Sequence, residues 1–407
     1  MLPGAALLPY FVTVANGPVH PPTVAAGNEA VLRARFEDAA FFYREDLRQP
    51  LEAFRPELSG TTFQKDLGSL LDKAQRVEAL VPQLAQAVAA AGGGSQAAWA
   101  SPAVLDVAVR AAHLCKADLA TSTVTEMTAL AGTMGRHYAH KQGLPQEVAE
   151  AIFEACLPRQ AGDEVPRSPA GVLVSVADRL DSLVGLFAAG CGPSAATDPY
   201  GLRRAAYGML QALVSNGVSV SLRAAVAAAA ALQPIPVSAA VQAEVLTYLG
   251  GRLEQLLSEG APAEVVWAVL AERGDDPALA SRTSEWEAGE QGRLRAVMAA
   301  FSRPTRIVRG KEVPPALVGV DPALFEGEEE RALYAAFVEA SAKVSPDTSV
   351  PALLAAAQPL LPPIASFFER VFVMCEEPRV RANRLALLRD LAALPRGVVD
   401  LAQLPGF

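Results

Sequence analysis

The sequence predicts a mainly all-α protein with one short β segment at its N-terminus, and three observations lead to this fold class. Hydrophobic residues make up 51% of the 407 positions and charged residues 19%, a balance typical of folded domains. From Pro22 onward the apolar residues recur every three or four positions, which is the period of an amphipathic helix. Internal repeats of about 20–50 residues do not occur, so a solenoid is not expected.

The first element is the exception to the helical pattern. Leu7–Ala15 is rich in β-branched and aromatic residues, and the turn-forming residues Asn16, Gly17 and Pro18 follow it. This pattern predicts a strand and a turn. Because one strand cannot form a sheet alone, its partners would lie in a preceding region, or it would pack as an edge on helices.

Three stretches are predicted as the first helices. In GNEAVLRARFEDAAFFYREDL and FQKDLGSLLDKAQRVEALVPQLAQAV, an apolar stripe at helical spacing runs between charged residues. The stripes consist of Val31, Phe36, Ala39, Ala40 and Tyr43 in the first stretch, and of Leu67, Leu70, Leu71, Ala74, Val77 and Leu84 in the second. The third stretch, Ala111–Met127, is predicted as a helix whose middle carries His113, Cys115, Lys116 and Asp118.

Four breaks divide the helical pattern. Ala89–Pro102 is a Gly/Ser-rich loop, interpreted as an insertion between two helices. The other breaks are Leu157–Pro169, Gly190–Gly201 and Arg273–Trp286. A chain of this length is expected to form about two or three domains, and the last break is the best candidate for a boundary. The final hundred residues are again predicted as helices.

Charge, cysteine usage and hydropathy exclude several classes of protein. A net charge of −9 argues against a protein that coats nucleic acid non-specifically. A local basic patch is still compatible with this net charge. The four cysteines have no C-x-x-C spacing, so neither a zinc knuckle nor a disulfide framework is indicated, and a reducing compartment fits best. The longest apolar runs fall short of the about 20 residues of a membrane span, so we expect a soluble protein without membrane contact. The first residues lack the pattern of a signal or transit peptide.

The histidines and Cys115 are weak candidates for chemistry. His113 has no second histidine at helical spacing, so a packed or surface histidine is the better interpretation. His137 and His140 are three residues apart and near Glu147, which alone is weak support for a metal site. Cys115 would need a facing cation to act as a nucleophile, and adjacent helical residues do not face each other. We therefore expect a buried structural cysteine.

Asp178 and Asp181 are more informative, because they lie three residues apart on an otherwise apolar helix. This spacing places both carboxylates on one face. Charges on a buried stripe are costly unless they are paired. Two interpretations stay open: a salt bridge to Arg179, Arg203 or Arg204, or a role in a site.

The next helix is predicted to begin within DPYGLRRAA. Asp198 would be its N-cap and Pro199 its first helical residue. The adjacent arginines, Arg203 and Arg204, would either be structural or contact a phosphate.

Two basic segments are candidates for nucleic-acid binding. All the charged residues of the segment SRPTRIVRGK are positive, and Pro and Gly interrupt it. This pattern favours contact with phosphates over a merely solvated face. The segment EEPRVRANRLALL adds further arginines and an asparagine that could read a base edge, so that both segments could line one basic face. The candidate residues are Arg303, Arg306, Arg309, Lys311, Arg379, Arg381, Asn383 and Arg384. The sequence contains no P-loop, G-x-G-x-x-G, G-x-S-x-G or H-E-x-x-H motif.

Several stretches together resemble one family, the β subunit of the bacterial-type α/β glycyl-tRNA synthetase. They run in the family's order from Leu7 to about Leu388, with a thinner match from Leu213 to Leu294. The matching stretches are LLPYFVTVANG, GNEAVLRARFEDAAFFYREDL, FQKDLGSLLDKAQRV, LCKADLATSTVTEM, GTMGRHYAHKQGLPQEVAEAI, LPRQAGDEVP, VADRLDSLVGLFAAG, DPYGLRRAAYGML and ASFFERVFVMCEEPRVRANRLALL.

The resemblance implies that the chain is the C-terminal portion of such a subunit. Residues 1–28 would be the remnant of a preceding β-containing domain. Residues 29–200 would form a helical domain similar to the HD phosphohydrolases, and residues 201–285 a helical connecting body. Residues 286–407 would form a helical anticodon-binding domain of the DALR type.

The resemblance to HD enzymes also implies that their metal site is degenerate here. Cys115 and Lys116 fall where an active site has its His-Asp doublet, and Lys73 falls near the early histidine. Only Asp178 or Asp181 would survive as a ligand. A charged lysine cannot bind a metal and would occupy the place of the cation. We therefore expect a structural platform held by lysine–carboxylate pairs, whose outer face is free to contact the acceptor arm of tRNA.

In the family, ATP and Mg are used by the α subunit or region, so this chain would bind no cofactor or metal and would be inactive alone. Its expected partners are tRNA-Gly and that α subunit or a fused α region, in a hetero-oligomer or fused-chain dimer. The segment SRPTRIVRGK resembles the corresponding segment of plant and algal organellar enzymes. This implies that the protein is located in a plastid and also in mitochondria, or in the cytoplasm if its source is bacterial. An active HD-type phosphohydrolase and a non-catalytic scaffold or truncated paralogue are the alternatives.

Overall fold

A computed structural model describes residues 8–160, 162–285, 289–309, 319–345, 347–404 and 407. Within these residues the chain forms helices and a single two-stranded hairpin, which confirms the predicted mainly all-α class. The strands are β1 (Thr62–Gln64) and β2 (Gly68–Ser69). The α-helices are α1 (Pro21–Asp46), α2 (Leu51–Phe54), α3 (Leu70–Ala91), α4 (Pro102–Leu114), α5 (Ser122–Glu126), α6 (Thr133–Lys141), α7 (Gln146–Glu154), α8 (Pro169–Ala188), α9 (Leu202–Ser215), α10 (Leu222–Ala231), α11 (Ala239–Leu257), α12 (Ala263–Arg273), α13 (Pro277–Thr283), α14 (Glu290–Val308), α15 (Glu328–Ser341), α16 (Val350–Ala357), α17 (Leu361–Arg370) and α18 (Pro378–Ala393).

The N-terminal strand prediction is wrong for the part of Leu7–Ala15 that the structure describes. Residues 8–15 adopt no strand, and Tyr10, Val12 and Val14 are exposed. The physical reason is that an alternating pattern does not itself supply a partner for the backbone N–H and C=O groups. Neither strand of the hairpin pairs with this segment, because β1 and β2 pair antiparallel with each other.

The long first helix is confirmed, but its predicted apolar stripe does not pack along its length. Val31 and Phe36 are exposed on α1. The helix is fixed near its end, where Asp46 is buried and accepts hydrogen bonds from the backbone N–H groups of Ser122 (2.8 Å) and Thr123 (3.0 Å). Its carboxylate thereby caps α5 at the helix end that favours negative charge.

The second predicted helix begins later than its apolar pattern suggested. Leu67 is buried in the hairpin, and α3 begins at Leu70. The start is set by a capping box: Ser69 accepts from the N–H of Asp72, and the Asp72 carboxylate accepts from the N–H of Ser69 at 2.7 Å. Both hydrogen bonds satisfy backbone donors that a helix start leaves unpaired.

α8 is the central element of the N-terminal half. It is buried on almost every face, as expected for a helix that is apolar all round, and α3, α4, α7, α9, α10 and α11 surround it.

The predicted break after Arg273 is present, where α12 ends and Asp276 caps α13. Hydrogen bonds nevertheless cross from this region to the C-terminal residues, including Asp400 N–H to the Ala268 carbonyl (2.9 Å). The four-part domain division stays a prediction.

The C-terminal helices pack around α14, which contacts α16, α17 and α18. Residues 302–308 of the basic segment SRPTRIVRGK form the end of α14, and Pro304 lies inside this helix instead of interrupting it. Among the described residues, Val350–Arg370 is apolar and long enough, by length and composition alone, to cross a membrane, contrary to the expectation that all apolar runs are too short. The core helix of a soluble protein passes the same test, and this stretch includes α16 and α17, which bury Phe367.

The packing of α14 leads to a stability prediction for Phe301→Ala. Phe301 is 1% exposed, so removing its ring should leave a cavity and lower the free energy of unfolding by about 3–5 kcal/mol. Phe36→Ala is the matched control, because Phe36 is 70% exposed and its removal should change stability by less than about 0.5 kcal/mol. Urea unfolding followed by circular dichroism measures both. Equal effects of the two variants would contradict this packing.

Candidate functional site

The stretch predicted as one helix from Ala111 to Met127 is broken. α4 ends at Leu114, Cys115 caps its C-terminus, and a 3₁₀ turn (Ala117–Ala120) precedes α5. The break places Lys116 between two elements, and its Nζ atom lies 2.9 Å from Asp178 Oδ1 on α8. The continuous-helix prediction was wrong because its apolar period did not show where the chain must turn to pair this lysine.

Asp178 and Asp181 are the centre of a buried charge network. Lys73 Nζ, on α3, lies 3.0 Å from Asp178 Oδ1 and 3.1 Å from Asp181 Oδ2. Arg76 Nε lies 2.7 Å from Asp181 Oδ1. Lys73 is 4% exposed and Asp181 1%, so these pairs are shielded from water. We call Lys73, Arg76, Lys116, Asp178 and Asp181 the lysine–carboxylate network.

Neutral groups add further hydrogen bonds to this network. Lys73 also donates to the Asp178 carbonyl (2.9 Å) and to Ser182 Oγ (2.8 Å). Gln233, which follows α10, donates to Asp181 Oδ1 at 3.0 Å. A buried ion pair is stable only when its remaining hydrogen-bonding capacity is used, and here donors from three elements converge on α8.

The network holds both carboxyl groups ionised. Burial alone would raise the pKa of Asp178, but Lys116 and Lys73 overcome it and hold that pKa well below its usual range. Burial likewise opposes ionisation of Asp181, and Lys73 and Arg76 lower its pKa. For Lys116, burial would lower the pKa, and the facing Asp178 raises it instead. Asp178, Asp181 and Lys116 therefore stay charged at neutral pH.

The expected salt-bridge partners of the two aspartates were wrong. Arg179 donates instead to backbone carbonyls, among them Cys156 (3.2 Å) and Pro158 (2.9 Å). Arg203 donates to the carbonyls of Ser194 and Ala195. Arg76 was missed, although its position three residues after Lys73 on the same helix face was the available signal. No feature of the sequence indicated Gln233, because its contact with Asp181 depends on how α10 packs on α8.

The arrangement favours a structural network over a metal centre. Lysine ammonium groups lie where the carboxylates converge, and the described residues contain no group of three or more His, Cys, Asp or Glu side chains that could hold a metal. Cys115 is buried, as predicted, and burial raises the pKa of its thiol to about 12, so it is not a thiolate nucleophile at neutral pH.

The histidines do not form a site with one another. His113 lies between Glu52 (Nε2 to Oε1, 2.7 Å) and Glu78 (Nδ1 to Oε2, 3.0 Å). His137 is hydrogen-bonded to Tyr43, and the Nε2 atom of His140 lies 3.6 Å from Glu150. Glu147, expected near the histidine pair, contributes to neither contact.

Two of the candidate nucleic-acid contacts in α18 are internal, which corrects their prediction. Asn383 is 0% exposed; its side chain accepts from the Asp321 N–H (2.8 Å) and donates to the Asp321 carbonyl (2.9 Å). Arg384 is buried and pairs with Glu330 and Glu326, both at 2.8 Å. Neither side chain can reach a base edge in this structure. Arg379 is exposed and Arg381 partly so.

The arginines at the end of α14 lie on the surface, where a phosphate contact would require them. Arg303, Arg306 and Arg309 are exposed, and the Arg303 guanidinium lies 4.4 Å from the centre of the Phe368 ring. Lys311 lies outside the described residues.

The arginines of the two basic segments are spread along the C-terminal helices. Arg309 and Arg396 line a cavity of about 450 Å³ at the ends of α14 and α18. Arg379 lies at the start of α18, about 20 Å from the end of that helix at 1.5 Å per residue. A single basic face that includes both segments stays a prediction. Arg396 was missed, because it lies outside both basic segments and is brought in only by helix packing.

The start of α9 also differs from its prediction. The helix begins at Leu202, and Gly201 is its N-cap with a left-handed backbone (φ 67°). Asp198 does cap the helix, but from further upstream, by accepting from the N–H groups of Leu202 (2.8 Å) and Arg203 (2.9 Å). Pro199 is therefore not the first helical residue.

Comparison with known proteins gives a consistent result. Residues 3–271 match the model of a family described as glycyl-tRNA synthetase beta subunit. The chain is 45% identical over 404 residues to glycine–tRNA ligase, chloroplastic/mitochondrial 2, of Arabidopsis thaliana, covering 98% of this chain and 37% of that protein. It is 39% identical over 406 residues to a glycine–tRNA ligase beta subunit of Chromohalobacter salexigens, covering 98% and 57% respectively. The beta subunit of Anaeromyxobacter dehalogenans is also 39% identical, and the chain spans 56% of it.

The network predicts a large cost for Lys73→Met. Removing this cation leaves two buried carboxylates short of a partner, so we expect a loss of about 3–5 kcal/mol in the free energy of unfolding. Arg33→Met is the control, because the Arg33–Glu29 pair on α1 is exposed and worth about 0–1 kcal/mol. Thermal and urea unfolding measure both. A Lys73→Met variant as stable as the control would contradict a stabilising network.

The network also predicts acid sensitivity. The folded-state pKa values of Asp178 and Asp181 lie below the unfolded value of about 3.9, so their contribution is present above that pH and is lost as the pH falls through the folded-state values. Wild-type stability should therefore fall between pH 5 and pH 3. Asp178→Asn should be less stable at pH 7 and lose less over that interval. Parallel pH curves of urea unfolding for the two proteins would contradict the assignment.

Proposed function

The chain belongs to the glycyl-tRNA synthetase beta subunit family, and from this premise we propose that it is a tRNA-binding part of a glycine–tRNA ligase. The observation that carries the proposal is the match across nearly the whole chain to relatives of that name. The chain spans between 37% and 57% of those relatives' lengths, so the activity, substrate and partners of the complete enzyme are assigned to this chain only as part of the proposal.

In this proposal the aminoacylation chemistry is supplied by another subunit or region. ATP and Mg are then used by the α subunit or α region, and this chain binds neither. The lysine–carboxylate network supports a platform role, because its cations already occupy the place that a metal would need.

The partners follow from the same premise. The bacterial relatives are named beta subunits, which implies an assembly with a different subunit. We propose tRNA-Gly and an α subunit, or a fused α region, as the partners of this chain. The plant relative is named chloroplastic/mitochondrial, which supports a plastid location, with mitochondria as a second site.

The exposed arginines at the end of α14 are the proposed phosphate contacts of the C-terminal helices. Arg306 and Arg309 are exposed, and Arg396 adds a third exposed cation at the cavity next to Arg309. Glu272 and Asp400 line the same cavity and offset part of the charge of Arg309 and Arg396, whereas Arg306 lies outside this lining. Guanidinium groups bind phosphate oxygens with paired hydrogen bonds, so this end of the bundle suits the RNA backbone.

This assignment predicts weaker, less salt-dependent tRNA binding for Arg306→Gln/Arg309→Gln. Each lost phosphate contact should lower the slope of log K against log salt by roughly 0.7–0.9, so about 1.4–1.8 for both. Fluorescence anisotropy with labelled tRNA-Gly over a range of salt concentrations measures the slope.

The matched control is Arg110→Gln/Arg223→Gln, which removes the same charge from exposed side chains on α4 and α10. Equal slopes for the two double variants would remove the end of α14 from the proposed interface. Glycyl-tRNA formation by this chain alone would contradict the division of labour.

A further inference from the structure

A second concentration of arginines lies between α9 and α11, far along the sequence from both basic segments. Arg203, Arg204 and Tyr207 on α9 and Arg252 on α11 line a cavity of about 340 Å³. The same cavity is lined by Gln160, Gln211 and Gln255, and no aspartate or glutamate among the described residues lines it. We call the set Arg203, Arg204, Tyr207, Gln211 and Arg252 the arginine groove.

The groove follows from helix geometry. Arg203, Tyr207 and Gln211 are four residues apart, so they lie along one face of α9. Gly208 lies between them, and a side chain there would come within 3.1 Å of Pro158. The small residue therefore lets the Pro158 segment approach α9 and form one wall of the groove.

The polar groups of the groove are only partly used from within. Arg252 donates to Gln255 Oε1 at 2.9 Å, and its guanidinium lies 5.5 Å from the centre of the Tyr248 ring. Arg252 Nε and Gln211 Oε1 are buried and have no hydrogen-bond partner among the described residues. Arg204 is exposed and forms no ion pair within the part of the chain that the structure describes, so its guanidinium is available to a ligand.

Two carboxylates lie near the groove and offset part of its charge. Glu259 accepts a hydrogen bond from the Tyr207 hydroxyl at 2.6 Å, and Asp198 accepts from backbone N–H groups at the start of α9. Both keep their negative charge, because these donors are neutral. The three guanidinium groups of the groove still exceed these two carboxylates, in a chain whose net charge is −9.

The groove extends towards the lysine–carboxylate network. A second cavity of about 400 Å³ shares Pro158 and Arg204 with it and is also lined by Arg159, Tyr200 and Asp178. Asp178 is already paired with Lys73 and Lys116, so this extension adds little negative charge. Two adjoining cavities with cations distributed along them suit an extended polyanion better than a single small phosphate.

We propose that the arginine groove binds the phosphodiester backbone of tRNA, as a contact separate from the end of α14; this rests on the proposed function. The three guanidinium groups would bind phosphate oxygens. The exposed ring of Tyr200 would stack on a base, and the glutamine side chains would hydrogen-bond to ribose hydroxyls.

The test uses the full chain with the substitutions Arg204→Gln and Arg252→Gln. We expect affinity for labelled tRNA-Gly to fall at least about tenfold at 0.1 M salt, and the salt slope to fall by roughly 1.4–1.8. Arg110→Gln/Arg223→Gln is again the matched control. Circular dichroism and unfolding curves check that the groove variant folds, and a folded variant that binds tRNA as the control does would overturn the proposal.

Arginine modification by phenylglyoxal, mapped by mass spectrometry, locates the contact without any substitution. Bound tRNA should protect Arg204 and Arg252 and leave Arg223 reactive. Protection by inorganic tripolyphosphate but not by tRNA would make the groove a small-anion site, and protection by polyglutamate alone would make it a protein-binding site. Either result would overturn the proposal.

The failure of this proposal can be separated from failure of the proposed function. If Arg306→Gln/Arg309→Gln weakens tRNA binding and the groove variant does not, the groove is excluded while the proposed function stands. If the unsubstituted chain binds no tRNA, both proposals are overturned.

Discussion

The fold depends on the placement of Lys73 between Asp178 and Asp181. α8 is the helix around which the N-terminal half packs, and its two carboxylates lie within an otherwise apolar environment. Burying them without partners would cost more than the surrounding apolar contacts could offset locally. Lys73 from α3 and Lys116 from the turn after α4 meet this requirement from two directions, so two separate parts of the chain are fixed to α8.

The sequence predicts the helices and the shared face of Asp178 and Asp181 well, because both depend on local spacing. It fails where the outcome depends on partners distant in sequence. Lys73 and Asp181 are 108 residues apart, and no local pattern could exclude Arg179 as the partner. The resemblance to HD enzymes did identify Lys73 and Lys116, because it carries information about which segments meet. The strand predicted at Leu7–Ala15 had the right composition but lacked a neighbouring strand in the described residues.

The basic residues show a related limit. A run of arginines in sequence does not reveal which side of a helix faces water. The side chains of Asn383 and Arg384 are buried among the C-terminal helices, where they bond to Asp321 and Glu330. Arg306 and Arg309, in contrast, are exposed. The arginine groove, in contrast, is a basic surface that no run in the sequence indicates, because Arg204 and Arg252 come from different helices. Positive surfaces in this protein are therefore products of packing as much as of composition.

The core and the groove are also physically connected. Arg179 follows Asp178 on α8 and donates hydrogen bonds to the carbonyls of Cys156 and Pro158, so it fixes the segment that forms one wall of the groove. The lysine–carboxylate network fixes α8, α8 fixes this segment through Arg179, and the segment sets the distance to α9. The lysine–carboxylate network can thus position the arginines of the proposed RNA contact without touching RNA, because its rigidity sets the position of α8 and of the Pro158 segment.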